Sequence, residues 1–328
     1  MTIGLVAVVL LVLAAEFTNG LTDAANAIAT VVGTRVLSPA RAVAMAAVLN
    51  MVGVLTTGAA VASTIGTDIV RPEAISLATV AAAMSTVVVW TMAAWFFGIP
   101  TSETHELIAA LAGAGLATAG PSVLLWEGWR KVLIGFGVST VVGFSLGFLL
   151  MVAIYWIFRS ISRSRGMRLF GRLQIFSAAF MAFSHGSNDG QKFMGVLALA
   201  LLLGGVLPTF YVPLWVMFLC GATMALGTAL GGWRIIRTMG SKISRLEPVN
   251  GFAAETAASI SILMASRFGI PLSTTHTIGT AIMGVGASRR LSAVNWGVSR
   301  QIVATWVITF PACLLLGYLF TWPFKLVF

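Results

Sequence analysis

Thr18-Asn-Gly-Leu-Thr-Asp-Ala-Ala-Asn26 recurs later in the chain as Ser184-His-Gly-Ser-Asn-Asp-Gly-Gln-Lys192. When Gly20 is aligned with Gly186, Asp23 falls on Asp189, a shift of 166 residues. Both stretches are polar and lie inside apolar sequence. We call them the Asp motifs, and their recurrence indicates that the chain has two related halves.

A second polar pattern also occurs once in each half. Gly98-Ile-Pro-Thr-Ser-Glu-Thr-His105 matches Gly269-Ile-Pro-Leu-Ser-Thr-Thr-His276 with a shift of 171 residues. We call these stretches the hydroxyl motifs, because each places Ser and Thr shortly after a proline. Polar interruptions of apolar segments that repeat in this way are the best sequence indication of a binding site in a transport protein.

The composition identifies the class of protein. Hydrophobic residues make up 58% of the chain and charged residues only 9%, against roughly 25% charged residues in soluble domains. Charge-free runs over 42–67, 74–102 and 132–158 exceed the ~20 residues that one membrane-spanning helix needs. The sequence therefore predicts an all-α polytopic protein embedded in the lipid bilayer.

The formal net charge of +10 raises a nucleic-acid partner as an alternative. The basic residues lie mainly in short loops between apolar runs, however, which is typical of cytoplasmic loops, so no nucleic-acid partner is expected. Cys220 and Cys313 lie in apolar segments and indicate no disulfide framework. The N-terminal apolar run is interpreted as a first membrane helix, because no Lys or Arg precedes it.

The charge pattern divides the chain into three parts: a first membrane repeat at 1–158, a basic cytoplasmic connector at 159–172 and a second membrane repeat at 173–328. Loop 66–73 is net acidic, whereas its counterpart at 234–245 is strongly basic. The positive-inside rule then gives five crossings in each half, with the second half inverted and both termini outside.

Three segments are expected to depart from a simple spanning helix. Residues 3–33 would reach about 46 Å as one helix, beyond a hydrocarbon core of about 30 Å. We therefore expect this segment to tilt, kink or break, with Asn19-Gly20 as the natural break. Pro100 and Pro271 are expected to open new helices, so that broken helices meet near the membrane midplane.

The Asp motifs carry the residue types that bind a small hard cation. Carboxylate, amide and hydroxyl oxygens, together with free backbone carbonyls, suit such an ion, and an intramembrane carboxylate normally has a partner or a function. The alternative is that Asp23 and Asp189 cap the amides of broken helices. The predicted cation ligands are Thr22, Asp23, Asn26, Asn188, Asp189 and Glu255.

The hydroxyl motifs suit an anion instead. A helix N-terminus offers unpaired N–H groups and the positive end of the helix dipole, and the Ser and Thr hydroxyls add further donors. Two such turns that face each other would hold a tetrahedral oxyanion without arginine. The alternative is ordinary capping of two helices by Ser and Thr.

Other polar residues near these motifs allow two interpretations each. His105 and His276 are expected to donate to backbone carbonyls rather than to bind metal, and zinc is not expected. Lys192 can pair with Asp189 or reach an anion. Glu255 is either functional or hydrogen-bonded to a neighbouring broken helix.

These motifs resemble the inorganic phosphate transporter (PiT) family. Its signature is a repeated Gly-x-(Asn/His)-Asp-x-x-Asn-Ala element, each copy followed by a Pro-x-Ser-Thr-Thr-His element. Here Gly20-Leu-Thr-Asp-Ala-Ala-Asn-Ala27 and Gly186-Ser-Asn-Asp-Gly190 match the first element, and the stretch from Gly269 to His276 matches the second. The resemblance implies symport of inorganic phosphate with sodium or protons across the cell membrane, by alternating access between inverted repeats.

The same resemblance implies the site and its ligands. Sodium is expected at Asp23 and Asp189, with no cofactor besides coupled sodium ions, and a homodimer is left open. Sulfate or another oxyanion is the alternative substrate. An enzyme is not expected, because no nucleophile–base set and no metal-ligand cluster stands out. The predicted substrate ligands are Ser102, Glu103, Thr104, Asn188, Asp189, Ser273, Thr274 and Thr275.

Two residues depart from the family pattern. Thr22 stands where Asn or His is usual, and Glu103 stands where Ser or Thr is usual, followed by Glu106. An ionised Glu103 would repel an anion, so we expect it to be protonated when the anion binds, or neutralised by a cation or by Lys192. The alternative is that Glu103 turns away and caps its helix.

Overall fold

A computed structural model describes residues 2–328. The described chain is helical, and its β-structure is limited to two isolated bridges, Val70 with Leu124 and Ser244 with Val294. The all-α prediction is confirmed. The helices are α1 (Ile3–Gly33), α2 (Pro39–Thr56), α3 (Ala60–Ser63), α4 (Leu77–Phe97), α5 (Glu103–Ala119), α6 (Trp126–Gly137), α7 (Gly143–Ile157), α8 (Arg163–Leu203), α9 (Leu214–Leu230), α10 (Trp233–Arg237), α11 (Pro248–Arg267), α12 (Thr274–Arg289) and α13 (Trp296–Val327).

Short irregular helices occur at matched places in the two halves. The π-helical turn Thr64–Asp68 corresponds to Thr238–Lys242, and the 3₁₀ turn Pro121–Val123 corresponds to Leu291–Ala293. A further π-helical turn, Val138–Val142, joins α6 to α7, and a 3₁₀ turn spans Pro72–Ala74.

Several of these helices are long and apolar enough to cross a membrane. They are α1, α2, α4, the α6–α7 rod over Trp126–Ile157, and α13. A sixth span is formed if α9 and the segment Trp233–Lys242, bent by 64°, count as one. The chain is thus a multi-pass membrane protein, and the ten crossings stay a prediction.

The two Asp motifs lie in the middle of unbroken helices. α1 runs for 31 residues and α8 for 41 residues, so the expected break at Asn19-Gly20 is wrong. The backbone hydrogen bonds of α1 and α8 continue through the Asp motifs, because the polar side chains of these motifs find partners without breaking the helix. Thr22, for example, donates its hydroxyl to the Thr18 carbonyl oxygen at 2.9 Å. Most of the basic connector also belongs to α8, which begins at Arg163.

True breaks occur at the hydroxyl motifs. α4 ends at Phe97 with Gly98 in the left-handed region at φ 67°, and Gly269 after α11 has φ 65°. Glycine accepts this conformation at little cost, so the chain reverses out of each helix before the next begins. The new helices start three residues after Pro100 and Pro271, at Glu103 and Thr274, and not at the prolines as predicted.

Two apolar clusters enclose the polar motifs. The first cluster contains Leu5 and Val12 of α1 and packs with α4 and α5, whereas the second contains Ile28 of α1 and packs with α11 and α12. α8 contributes to both in the opposite chain order, with Met181 in the second cluster and Phe193 in the first. The Asp motifs therefore lie between the clusters, in helices that traverse them in opposite directions.

Candidate functional site

The N-termini of α5 and α12 meet at the centre of the candidate site. Ser102 and Ser273 are the N-cap residues, and their hydroxyls accept from the His105 and His276 backbone N–H groups at 3.3 and 3.2 Å. The Ser102 hydroxyl also donates to the Ser273 hydroxyl at 2.8 Å. The two serines therefore cap their helices, as the alternative interpretation expected, and they join the two helix starts.

The threonines of the hydroxyl motifs connect to the Asp motifs instead of capping. Thr274 donates to the Asp189 carboxylate at 3.0 Å, and Thr275 donates to the Asp23 carboxylate at 3.5 Å. The Asn26 amide nitrogen donates to both threonine hydroxyls, at 3.2 and 3.0 Å. The Asp motifs and the second hydroxyl motif thus form one buried cluster. Asn26 and Thr274, which meet in it, are 248 residues apart in the chain.

The capping interpretation of the two aspartates is wrong. Asp23 and Asp189 lie inside α1 and α8 and accept hydrogen bonds from side chains on other helices. They are 5% and 1% exposed. One ligand atom from each of Asp23, His185 and Asp189 lies within 4.8 Å of the others, a spacing that one small cation can bridge.

Lys192 pairs with Asp189, which confirms one of the two predicted roles. Its ammonium donates to the Asp189 carboxylate at 2.6 Å, to the Thr104 hydroxyl at 2.6 Å and to the Leu272 carbonyl oxygen at 3.1 Å. An ammonium has three N–H donors, so each donor has an acceptor. The side chain is fully buried.

Glu103 is buried beside the first Asp motif and does not cap α5. The hydroxyls of Thr22 and Thr91 lie 3.3 and 3.1 Å from its carboxyl group, and the Thr22 hydroxyl is also within reach of the Thr18 carbonyl oxygen. The Thr91 hydroxyl also lies 2.5 Å from the Glu106 carboxyl group. A single hydroxyl has one hydrogen to donate, so Glu103 and Glu106 need a proton or a cation to satisfy them both.

Several buried acceptors around the cluster are left open. Among residues 2–328, the side-chain carbonyl oxygens of Asn26 and Asn188, and one carboxyl oxygen each of Glu103 and Glu106, have no hydrogen-bond partner. Buried polar atoms without a partner are rare and costly. Such oxygens are the ligands that a sodium ion or a proton would complete.

Glu255 lies in a separate polar cluster on α11. Its carboxyl group accepts from Thr30 at 2.5 Å, from Gln174 at 3.1 Å and from Ser177. In the described chain, Glu255 makes no hydrogen bond to Asp23 or Asp189. No contact therefore supports its predicted role as a ligand of the same cation, and that role stays a prediction.

The two motif histidines differ in their surroundings. His105 Nδ1 lies 3.4 Å from the Trp306 carbonyl oxygen, as predicted. His276 stacks on the Trp306 ring with the ring centroids 3.8 Å apart, and neither of its nitrogens has a hydrogen-bond partner in the described residues. The prediction that His276 donates to a carbonyl is therefore wrong.

Sequence reasoning missed four contributors. Thr91 of α4 and His185 of α8 contact the site carboxylates directly. Asn50 of α2 lies 3.2 Å from His185 Nδ1 and so orients that ring, and Glu16 accepts from Asn19 one turn before Asp23. Two signals were available, because Glu16 lies inside an apolar span and His185 lies in the second Asp motif. The sequence around Thr91 gave no signal, because a single Thr in an apolar helix is common.

The comparison with protein families decides the identity of these motifs. A family model described as the phosphate transporter family matches residues 19–168 and 159–317, which include all four motifs except Thr18. The chain belongs to the phosphate transporter family. The resemblance predicted from the motifs is thereby confirmed.

Members of the phosphate transporter family with curated names match almost the whole chain. A protein of Rhizobium meliloti (strain 1021), named "Probable low-affinity inorganic phosphate transporter", is 46% identical over 97% of this chain and 94% of its own length. A protein of the same name from Bacillus subtilis (strain 168) is 40% identical over 98% of this chain and 97% of its own length. These relatives are named as transporters and not as enzymes.

A solved structure shares the fold of this family member. It is titled "The sodium-dependent phosphate transporter" and superposes with a TM-score of 0.92 over 100% of both chains, at 24% sequence identity. The multi-pass helical fold is therefore established.

Proposed function

We propose that this chain moves inorganic phosphate across the cell membrane by symport with sodium ions or protons. The observation that carries the proposal is the charge of the site. Four buried carboxyl groups, those of Asp23, Asp189, Glu103 and Glu106, lie around the helix N-termini, together with the single ammonium of Lys192. In their ionised forms these carboxyl groups would repel an entering anion, so cations or protons must neutralise them when the anion binds.

The anion-binding side of the proposal rests on α5 and α12. Their facing N-termini present backbone N–H groups and the hydroxyls of Ser102, Ser273, Thr104, Thr274 and Thr275. These groups are at most 1% exposed, so an anion bound there would be shielded from water. A desolvated helix N-terminus suits a phosphate.

The site also favours phosphate over sulfate. Phosphate at neutral pH keeps at least one O–H group and can donate a hydrogen bond to a carboxylate, whereas sulfate has no proton to donate. The Asp23 and Asp189 carboxylates lie against the threonine hydroxyls that would hold the anion. A site built for a donated hydrogen bond discriminates strongly against an analogue that lacks it.

Alternating access between inverted halves is the proposed mechanism. The reversed order in which α1 and α8 pass through the two apolar clusters supports the inversion. So do the matched turns near residues 64 and 238. The open Asn26 side-chain oxygen and the Asp23 carboxylate would then hold a sodium ion, or the Asp23 carboxylate would take up a proton. Both chain termini would lie outside the cell. A homodimer stays an open arrangement.

Uptake of radiolabelled phosphate into proteoliposomes tests this proposal. We expect uptake to be driven by an inward sodium or proton gradient and to be inhibited poorly by excess sulfate. The matched control is Asp23→Asn in the same vesicles, which we expect to be inactive. Uptake that is indifferent to both gradients would exclude symport, and sulfate uptake as fast as phosphate uptake would exclude the proposed substrate.

A further inference from the structure

The contacts of Lys192 resemble those of a bound cation. Its ammonium is surrounded by a carboxylate oxygen of Asp189, the Thr104 hydroxyl and the Leu272 backbone carbonyl, at 2.6, 2.6 and 3.1 Å. These are the oxygen types that a small hard cation selects. The Thr104 hydroxyl hydrogen is directed to the Leu272 carbonyl at 2.9 Å, which leaves its lone pairs for the ammonium.

The corresponding position in the first half carries no positive charge. The alignment of the Asp motifs places Asn26 on Lys192, and that of the hydroxyl motifs places Thr275 on Thr104. The contacts agree with both alignments, because Asn26 donates to Thr275 at 3.0 Å as Lys192 donates to Thr104. Asn26, however, leaves its amide oxygen without a hydrogen-bond partner among the described residues, and it is 1% exposed.

We propose that Lys192 is a tethered cation that permanently fills the second of two matched cation positions. The first position, formed by Asp23 and Asn26, is then the only one of the pair that takes up a mobile cation in each cycle. This inference rests on the proposed cation symport and specifies its stoichiometry. It makes residue 192 a determinant of how many cations accompany each phosphate.

The number of cations taken up with phosphate can be measured at equilibrium. The slope of the logarithm of the phosphate association constant against the logarithm of sodium concentration gives the linked sodium ions, and the slope against pH gives the linked protons. Calorimetric titration of purified protein with inorganic phosphate supplies both slopes. Choline chloride keeps the ionic strength constant.

Three proteins are compared in this titration. Lys192→Asn empties the second position, so the sum of the sodium and proton slopes is expected to rise by about one relative to the wild type. Asn26→Lys fills the first position, and the sum is expected to fall by about one.

The groups that surround Lys192 are Asp189 and His185 on its own helix, Glu16 and Asp23 on α1, and His105 on α5. All three proteins keep these groups, and the summed slope counts any proton that they bind with phosphate together with any sodium ion.

The outcomes separate this inference from the proposed function. Zero slopes in the wild type, once the ionisation of phosphate itself is subtracted, would contradict symport altogether. A wild-type sodium slope of two, or an unchanged sum in folded Lys192→Asn, would overturn the tethered-cation inference alone. Folded Lys192→Asn protein that binds no phosphate at any sodium concentration would also overturn it, because Lys192 would then be an anion ligand. If neither variant folds, the wild type decides alone: a summed slope near one supports the inference, and a summed slope of two overturns it.

Discussion

At the scale of single residues, the threonine pair of α12 joins the two halves of the site. Thr274 contacts Asp189 and Asn26, and Thr275 contacts Asp23 and Asn26. A cation that binds to either carboxylate would therefore change the hydrogen bonding of the threonine hydroxyl beside it. A cation that draws the Asp23 carboxylate toward itself would free the Thr275 hydroxyl to donate to an anion, which gives a physical route for linkage between the two ligands.

The aspartate pair gives the first prediction. Asp23→Asn and Asp189→Asn are each expected to abolish phosphate uptake. Each substitution preserves the shape of the side chain but removes the negative charge that binds a cation. Asp68→Asn is the matched control, since Asp68 is a partly exposed partner of Lys131 outside the site. Uptake near the wild-type rate in both site variants, with equal protein in the membrane, would remove these aspartates from the mechanism.

The hydroxyl groups give the second prediction. Ser273→Ala and Thr275→Ala are each expected to weaken phosphate binding by about 0.5–3 kcal/mol, which is roughly a 2- to 150-fold rise in Kd. Calorimetric titration with phosphate measures the change. Thr280→Ala on the same helix is the control, because its hydroxyl donates to backbone carbonyls. If all three variants bind phosphate equally, the anion is held elsewhere.

At the scale of helices, α5 and α13 pack closely against each other. A Cβ atom added at Gly113 would lie 1.9 Å from the Leu314 carbonyl oxygen, far inside van der Waals contact. The backbones of the two helices therefore touch, as is typical of small-residue contacts in membranes. This contact fixes α5, whose N-terminal turn is one side of the proposed anion site.

Gly113 supplies the third prediction. Gly113→Ala is expected to lower thermal stability and phosphate uptake, because α5 and α13 must separate to admit the methyl group. Gly171→Ala is the control, since in the described structure an added Cβ at Gly171 has nothing within 4 Å, and alanine favours helix over glycine by about 1 kcal/mol. A melting temperature that falls equally in both variants would refute the packing argument.

The sequence predicted the motifs that meet in the candidate site, but it did not predict the backbone around them. The pairing of Lys192 with Asp189 was predictable because the two residues are three positions apart on one helix. The contact of Thr22 with Glu103 spans 81 residues, and no periodicity encodes such a contact. The break expected at Asn19-Gly20 was wrong because glycine permits a break without requiring one, and tertiary partners satisfied the polar groups of α1.

At the scale of the whole molecule, loop charge supplies the fourth prediction. The segments near residues 66–73 and 234–245 should face opposite sides of the membrane if the halves are inverted. Single cysteines at the exposed positions Glu73 and Ser241, with the buried Cys220 and Cys313 replaced by Ala, should react with an impermeant reagent from opposite sides. Labelling of both from one side would contradict five crossings in each half.

The central claim is that phosphate binds between the N-termini of α5 and α12, beside a mobile cation. An experimental structure determined in phosphate and sodium tests it most directly. We expect phosphate density within hydrogen-bonding distance of the Ser273 and Thr275 hydroxyls, and any cation density against Asp23 and Asn26. Phosphate density that contacts neither helix N-terminus would contradict the account.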